Sequence, residues 1–484
     1  MSGINSVLNI AKGALLAQQK AMTVTSHNIA NVNTLGYTRQ KVLLEANVSL
    51  SSDRIKLGTG VRVGSVIQLV DQYTNRAIQG KASSFQEYDS KAFILTHLEA
   101  IFNEATNQGL SEAMNQFWNA WNDLANRPGG IPERAALLGK AEILAGKFNS
   151  MRDDLSQIEN QMNLNLKVSL EDVNRTTKQI AELNERIVST ESTRTPANDL
   201  RDKRASLVES LSELVGVSVS EDENGGLKVW TSTGILLVDN IQHWKFDQEG
   251  GKIYWNNIET DISKKFSGGK IGAWLDLRDE ILPEYKANLD ELAGTLMREV
   301  NGLHRQGYTL AGETGKAFFE DFKTPPDIPN AGDFAGAAAY IKLSSDVKGT
   351  PANIAVGGTS GDPGDNENGI RILSLQTDET IQVKKWSYKD RSGGFISSSL
   401  QTGTMEDYYR SLSGEVGMLV DEVSQNKDFD RAMIDQLTEL KDSVSGVNLD
   451  EEMAELIKIQ QAHEAAAKLV TFADEMLQSI LQMR

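Results

Sequence analysis

Residues 15–40 read LLAQQKAMTVTSHNIANVNTLGYTRQ, and this stretch takes the chain from a helix into a turn. The helix begins near Ile4 and carries a heptad seam, in which residues on one side are spaced alternately by four and by three. The seam positions are Ile4, Leu8, Ala11, Leu15, Gln18 and Met22. From Asn28 to Gly36, three Asn residues and a Gly that can adopt positive φ favour a turn. The sequence therefore predicts a long N-terminal helix that ends before Gly36.

The other end of the chain carries the same pattern, and it predicts a last helix from about residue 446 to Arg484. Its seam positions are Leu449, Met453, Leu456, Gln460, His463, Ala467, Val470, Asp474, Leu477 and Leu481. Glu451, Glu452 and Glu455 are expected on its solvent face, where acidic side chains favour the first turn of a helix. A heptad helix at each end is typical of helices that pack lengthwise, within one subunit or between neighbours.

Each terminal helix has few large apolar side chains, and one partner helix cannot bury all of them. Such limited burial does not offset the conformational entropy that the chain loses on folding. We therefore expect both ends to be poorly ordered in the free monomer and to fold when subunits assemble. An ordinary intramolecular hairpin is the alternative.

The middle of the chain alternates between helical and β-rich patterns. Helices are expected at about 71–104, at 110–126, from Pro132 to Pro196, from a cap at Asn198 or Asp199 through Leu214, at about 275–303 and at about 404–445. β structure is expected at 37–70, 216–270 and 380–388.

These patterns predict a multidomain α+β fold, with an α-helical, coiled-coil-like axial part built from both termini and with β-rich inserted domains. The axial part takes residues 1–70, a helix with a small β region, and 446–484, the C-terminal helix. Residues 71–215 form a helical core domain, joined by 275–305 and 404–445. A β-rich insertion takes 216–274, and an irregular, β-rich insertion takes 306–403.

Composition narrows the classes of function. Lys and Arg number 49 and Asp and Glu 67 among 484 residues, so the formal charge is 49 − 67 = −18. That charge argues against nucleic-acid binding and against anionic membrane surfaces. The absence of cysteine excludes disulfides, thiolate catalysis and Cys-ligated metals. Neither a transmembrane helix nor a cleaved signal peptide is predicted.

No catalytic, cofactor-binding or metal-binding residues are predicted. None of the five histidines pairs with another at a spacing of three or four, so no local metal site is offered. The acidic turn Asp362–Gly369 lacks the ligand spacing of a calcium loop, and we interpret it as a solvated turn. Trp118 and Trp121 are expected in a helical core, and His27 in packing or hydrogen bonding.

Several stretches resemble a known family. Residues 15–40 resemble the N-terminal signature of bacterial flagellar axial proteins of the rod, hook and junction, and 445–453, 459–463 and 473–477 resemble the matching C-terminal signature. Three internal stretches are similar to the hook-associated protein 1 family: 198–204, 300–319 and 363–373. The family usually has proline where Leu35 stands.

The resemblance implies a structural adaptor, not an enzyme, between the flagellar hook and the filament. It implies self-assembly into a ring or helical layer, with the hook protein and the next hook-associated protein as neighbours. It also implies a flagellar export chaperone on the C-terminal helix, and an extracellular protein exported without a cleaved signal peptide. No cofactor, nucleic acid or membrane insertion is expected. Another axial protein of the rod, hook or filament is the alternative, and a periplasmic peptidoglycan hydrolase is a more distant one, for which no carboxylate pair stands out.

The two seams and the two terminal signatures together predict an assembly interface. Its residues are Ile4, Leu8, Ala11, Leu15, Met22, Asn28, Asn31, Gly36, Tyr37, Leu449, Met453, Leu456, Ala467, Val470, Leu477 and Leu481.

Overall fold

The computed structural model describes residues 2–47, 50–52, 55–103, 109–191, 196–256, 258–323, 334–388 and 396–482. Long helices dominate this part of the chain and small sheets lie between them. The α-helices are α1 Ser2–Ala30, α2 Gln72–Phe102, α3 Leu110–Asn126, α4 Ile131–Thr190, α5 Asn198–Leu214, α6 Gly269–Asp276, α7 Leu282–His304, α8 Ala337–Tyr340, α9 Glu367–Ser374, α10 Met405–Ser445 and α11 Leu449–Gln482.

The described strands pair only with antiparallel neighbours, in five small sheets: β1–β4, β2–β3, β5–β6–β7–β8, β9–β10–β11 and β12–β13. Their bounds are β1 Gln40–Ala46, β2 Leu50–Ser52, β3 Ile55–Leu57, β4 Val61–Gln68, β5 Val217–Glu221, β6 Leu227–Thr231, β7 Leu236–Asp239, β8 Gln242–His243, β9 Phe246–Glu249, β10 Lys252–Trp255, β11 Ile258–Asp261, β12 Gln382–Tyr388 and β13 Ile396–Thr402.

The 60-residue helix α4 is the spine of the molecule. At 1.5 Å per residue it extends for about 90 Å. Its apolar face buries a continuous series of side chains from Leu137 to Ile187, and α3, α5, α6, α7 and both β-rich insertions pack along it. Beside it, α2 and α10 form an antiparallel pair, in which Lys81 contacts Asp430 near one end and Tyr409 contacts Phe102 near the other.

Asparagine side chains of the helices hold the insertions in place. Asn174 on α4 donates to the carbonyl of Phe246 (2.7 Å) and accepts from its N–H (2.8 Å), as a neighbouring strand would. Asn288 on α7 makes the same two bonds to the backbone of Trp386 on β12. Because an amide supplies one donor and one acceptor, each of these residues satisfies backbone groups that no strand covers.

The two ends of the chain meet. Helix α1 packs lengthwise along α11 and also against the β1–β4 hairpin. Asn28, near the end of α1, contacts Glu452, near the start of α11, so the two helices run antiparallel. The multidomain α+β class and the lengthwise packing of the terminal helices are therefore confirmed, and the packing seen here is the hairpin between the two ends. That the ends gain their order only on assembly stays a prediction, as do the domain boundaries.

Three helix boundaries differ from the prediction. The spine ends at Thr190, before Pro196, and α6 begins at Gly269 instead of Leu275, because the buried apolar run starts at Ile271. Neither Asn198 nor Asp199 caps α5, since both lie inside the helix and their side chains bond elsewhere. The predicted ends at Glu104 and Arg484 lie outside the described residues.

Candidate assembly site

A group of polar side chains joins the axial helices to the helical domain where the two ends of the chain meet. We call this group the polar hub: Asn28, Tyr37, Arg39, Gln40, Gln68, Asn198, Asp199, Asp202 and Glu452. It brings together the end of α1, the 31–39 turn, the β1–β4 hairpin, the first turn of α5 and the first turn of α11.

Asn28 is at the centre of the hub and is 1% exposed. Its amide nitrogen donates to the carbonyl of Gln40 and to Glu452 Oε2, both at 2.9 Å. Its amide oxygen accepts from the N–H of Gln40 at 3.0 Å and from the hydroxyl of Tyr37 at 2.8 Å. All hydrogen-bonding capacity of this buried amide is therefore used, and the turn from α1 to β1 closes around it.

Tyr37 links Asn28 to His27. Burial first, and then the charges of Asp199, Asp202 and Glu452, raise the pKa of the Tyr37 hydroxyl well above its usual value, so the hydroxyl stays protonated. Because its proton goes to Asn28, the 3.0 Å contact with His27 Nδ1 has the histidine as donor. The rings also meet edge to face, at 5.5 Å between centroids. His27 thus serves hydrogen bonding, as expected.

The position of Glu452 differs from the predicted one. It was expected on the solvent face but is 2% exposed, and its carboxylate accepts from Arg39 Nε at 2.7 Å and from Asn28. Arg39 also pairs with the exposed Glu451 at 2.9 Å, and its backbone N–H donates to the carbonyl of Ser445. A buried carboxylate is tolerated because two donors satisfy it. Arg39 thereby fixes the break between α10 and α11.

The helical domain contributes the first turn of α5. Asp202 accepts from the N–H of Thr38 at 3.2 Å and from Gln68 at 2.7 Å, and Asp199 accepts from Gln40 at 3.1 Å. Asn198 donates to the carbonyl of Val66 on β4. Burial raises the pKa of Asp202, although its bonds to Thr38 and Gln68 oppose that effect. The axial part is thus held to the helical domain by hydrogen bonds between groups far apart in sequence.

The seam between α1 and α11 has a register that differs from the predicted one. On α11 the buried positions are Glu452, Ile459, Ala466 and Ala473, with Leu456, His463, Val470 and Leu477 half-buried between them. The predicted Met453, Gln460, Ala467 and Asp474 each lie one residue later. The observed register buries apolar Ile459 and small Ala473 in place of polar Gln460 and Asp474. Glu452 is buried because Asn28 and Arg39 bind its carboxylate.

The nominated interface residues therefore fall into two groups. One group is buried or half-buried, or lies in the hub and its turn: Ile4, Leu8, Ala11, Leu15, Met22, Asn28, Asn31, Gly36, Tyr37, Leu456, Ala467, Val470 and Leu477. The other group is exposed: Leu449, Met453 and Leu481. Gly36 has a φ of 77°, as its place in the turn predicts, and Leu35 beside it is fully exposed. That these residues contact other subunits stays a prediction.

Seven hub residues were not predicted as members of a site: Arg39, Gln40, Gln68, Asn198, Asp199, Asp202 and Glu452. Three of their stretches, 15–40, 198–204 and 445–453, were singled out by resemblance. The available signal was a charged residue, Glu452, at a position one step from the predicted seam.

The acidic and aromatic residues that the sequence singled out lie in structural contacts. Among them no three His, Asp or Glu side chains lie together in a way that could hold a metal ion. The turn at 362–369 uses its carboxylates on its own backbone, since Asp365 accepts from the N–H groups of Gly358, Thr359 and Glu367. Trp118 and Trp121 lie in the helical core, as expected. No helix in this part of the chain has the length and apolar character needed to cross a membrane.

Comparison with known proteins agrees with this architecture. Residues 95–319 match the helical domain of the flagellar hook-associated protein FlgK. Residues 442–483 match the C-terminal region of flagellar basal body rod FlgEFG proteins, and 8–38 match the flagella basal body rod protein family. The chain is 29% identical to flagellar hook-associated protein 1 of Bacillus subtilis strain 168, over 98% of this chain and 97% of the relative. The chain is thus similar over nearly its whole length to flagellar hook-associated protein 1.

Other similarities extend this finding. Flagellar hook-associated protein 1 of Salmonella typhimurium is 25% identical, over 99% of this chain and 100% of the relative. The solved structure of the flagellar hook junction protein FlgK from Burkholderia pseudomallei is similar with a TM-score of 0.63 and 15% identity, over 76% of this chain and 100% of that chain. At this identity the similarity is evidence for the fold and not for the function. The hook-associated protein 1 family is a family of structural flagellar proteins, and this chain is a structural component that assembles within the flagellar axis. The terminal matches are shared with rod proteins, and the match over 95–319 distinguishes the hook-associated family from them.

Proposed function

We propose that this chain joins the flagellar hook to the filament, and that its terminal helices form the contacts between subunits. The observation that carries the proposal is the antiparallel pair of α1 and α11, built from the two ends of the chain and attached to the helical domain through the polar hub. The names of the relatives support the location. The chain acts by packing and has no enzymatic role.

The proposal includes partners and a route of export. The hook protein and the next hook-associated protein are its neighbours, and copies of the chain form a ring or helical layer. A flagellar export chaperone binds α11 before export, and the protein reaches the flagellum outside the cell without a cleaved signal peptide. The apolar side chains that α11 leaves exposed beside its seam support both contacts, since large exposed apolar surfaces mark interaction sites.

The terminal helices gain their full order in the assembled structure. In the single chain α11 leaves Met453, Ile457, Leu469, Phe472 and Met476 between 42% and 58% exposed. Neighbouring subunits would bury these side chains. Because about half of each is already buried, each would gain roughly half of the 1.5–3 kcal/mol that full burial of such a side chain contributes. Assembly therefore stabilises the ends by mass action.

The experiment removes the contact and leaves the centre intact. Deleting residues 2–28 should leave the helical domain folded and abolish incorporation into flagella. Leu456→Asp, in the seam, should do the same with a single charge, whereas Leu164→Asp on α4, where Leu164 is 60% exposed, should have no effect. Cells are scored for attached filaments, and the purified chains for thermal unfolding. Normal filaments from the deletion variant would refute the proposal, and a collapse of the central fold in Leu456→Asp would assign the seam a role in folding instead.

A further inference from the structure

The two terminal helices differ in net charge. Helix α1 contains Lys12 and Lys20 and no acidic residue, so its formal charge is 2 − 0 = +2 with histidine neutral. Helix α11 contains seven acidic residues and two lysines, which gives 2 − 7 = −5. Two copies of α11 placed side by side would repel one another, whereas α1 beside α11 is complementary.

Helix α1 presents a short outward ridge. Lys12, Leu16 and Lys20 are spaced by four and therefore lie in one row along the helix. All three are exposed, Leu16 to 56%. This row, which we call the basic ridge, has an apolar centre between two cations. Within the described residues neither lysine has an ion-pair partner, so both charges are available to another molecule.

Helix α11 presents the matching surface. Met453, Ile457, Gln460 and Glu464 each follow a seam position by one residue, so they form one flank of the helix beside the seam. Asp450 continues this flank three residues before Met453. Met453 and Ile457 are 49% and 51% exposed, and Asp450 and Glu464 are exposed at either end. This acidic flank has an apolar centre between two anions, and in the described part of the chain neither anion is paired.

We propose that the acidic flank of α11 receives the basic ridge of α1 from a second copy of this chain. Leu16 then lies against Met453 and Ile457, and the lysines pair with Asp450 and Glu464. Because ridge and flank are different surfaces, each copy offers one of each, and the contact is head-to-tail. Such heterologous contacts repeat from copy to copy and generate a ring or a helix, whereas a two-fold contact would stop at a dimer. This inference rests on the proposed function and identifies which surfaces meet in it.

Charge reversal with rescue tests this contact. The variants are Lys12→Glu with Lys20→Glu, Asp450→Lys with Glu464→Lys, and all four changes together, each as the full chain in place of the native protein. We expect each double variant to reduce the number of attached filaments at least tenfold while the protein is still recovered in the culture medium. The fourfold variant should restore attachment to within twofold of the native chain, because all pairs are complementary again.

A matched control reverses an exposed pair in the helical domain. Lys178 and Glu182 on α4 lie 3.8 Å apart with side chains 62% and 60% exposed, and exchanging their charges should leave attachment unchanged. Attachment within twofold of native in both double variants, or no rescue in the fourfold variant, would overturn the docking. Loss of the Asp450→Lys, Glu464→Lys chain from the medium would overturn it too, since the flank would then serve an export partner. If residues 2–28 remain essential in any of these cases, the proposed function stands and only the docking fails.

Discussion

His304 should make the helical domain sensitive to acid. It lies at the C-terminal end of α7, is 0% exposed, and uses both ring nitrogens. Nε2 accepts from the N–H of Ala355 at 2.9 Å, so Nδ1 carries the proton and donates to the carbonyl of Lys316 at 2.8 Å. Only the neutral ring can make both bonds. The ring also packs edge to face on Phe318, at 5.5 Å between centroids.

The size of the effect follows from the pKa of His304. Burial lowers this pKa to about 4, against an ordinary value of 6.5, although the bond to Lys316 and the charge of Asp346 act in the opposite direction. Between these two values the unfolded chain binds a proton that the folded chain does not. The neutral ring therefore contributes full stability above pH 6.5, and that stability is lost as the pH falls. The loss is about 2 kcal/mol at pH 5 and about 3 kcal/mol at pH 4.

The comparison is between the native chain and His304→Gln, whose amide can still accept from Ala355 but does not titrate. The free energy of unfolding of the helical domain is measured with denaturant at pH 7 and pH 5. We expect the native chain to lose about 2 kcal/mol more than the variant over this interval. Equal losses in the two chains would refute the reasoning, and so would a nitrogen NMR spectrum at pH 7 that shows the proton on Nε2.

Two further predictions concern buried polar groups. Arg134 is 2% exposed; its Nε and Nη2 donate to the carbonyl of Pro128, and its Nη1 donates to the carbonyl of Ile354. A lysine cannot make all three bonds. Arg134→Lys should therefore lower the free energy of unfolding by about 2–3 kcal/mol, as measured in denaturant titrations. An unchanged midpoint would contradict this account. Asn28→Asp places a second carboxylate against Glu452 and removes the two hydrogen bonds that the amide nitrogen donates. The substitution should weaken the hub by about 2–4 kcal/mol in assembled flagella. The loss should exceed that of Asn28→Ala, and it should be larger at pH 7 than at pH 4, because the two carboxylates repel each other when ionised. The weakening is measured as faster hydrogen exchange of the Gln40 backbone amide. A larger increase in Asn28→Ala than in Asn28→Asp would contradict the prediction.

The long helices could be predicted from the sequence because their evidence is local. Apolar residues at spacings of three and four extend through most of α4, and the turn at Gly36 is set by its own asparagines and glycine. The same local evidence located β1 and β4 and the strand at Gln382–Tyr388. Such patterns record which side of an element is buried, and that is enough to place the element.

The polar hub could not be predicted in this way. Glu452 is buried because Arg39, 413 residues earlier in the chain, comes to it. Asn198 gives up a capping role because Gln40 and β4 reach its side chain. A charged or amide residue near the start of a helix is normally explained by capping or solvent, and only the tertiary partner overrides that explanation. The register of the α11 seam was missed for a related reason, since the buried Ala466 and Ala473 contribute little apolar area.

The hub and the outward surfaces have complementary roles in the proposed assembly. Most hub bonds join residues more than 130 positions apart, for example Thr38 to Asp202 and Asn28 to Glu452, so the hub forms only once the helical domain presents α5. The same bonds set where α11 starts relative to the end of α1, and they thereby determine which residues of each helix face outward. The apolar and charged surfaces that a second copy would meet are thus aligned by a network that has no contact with that copy. A change in the hub should therefore weaken assembly even when every residue of the outward surfaces is intact.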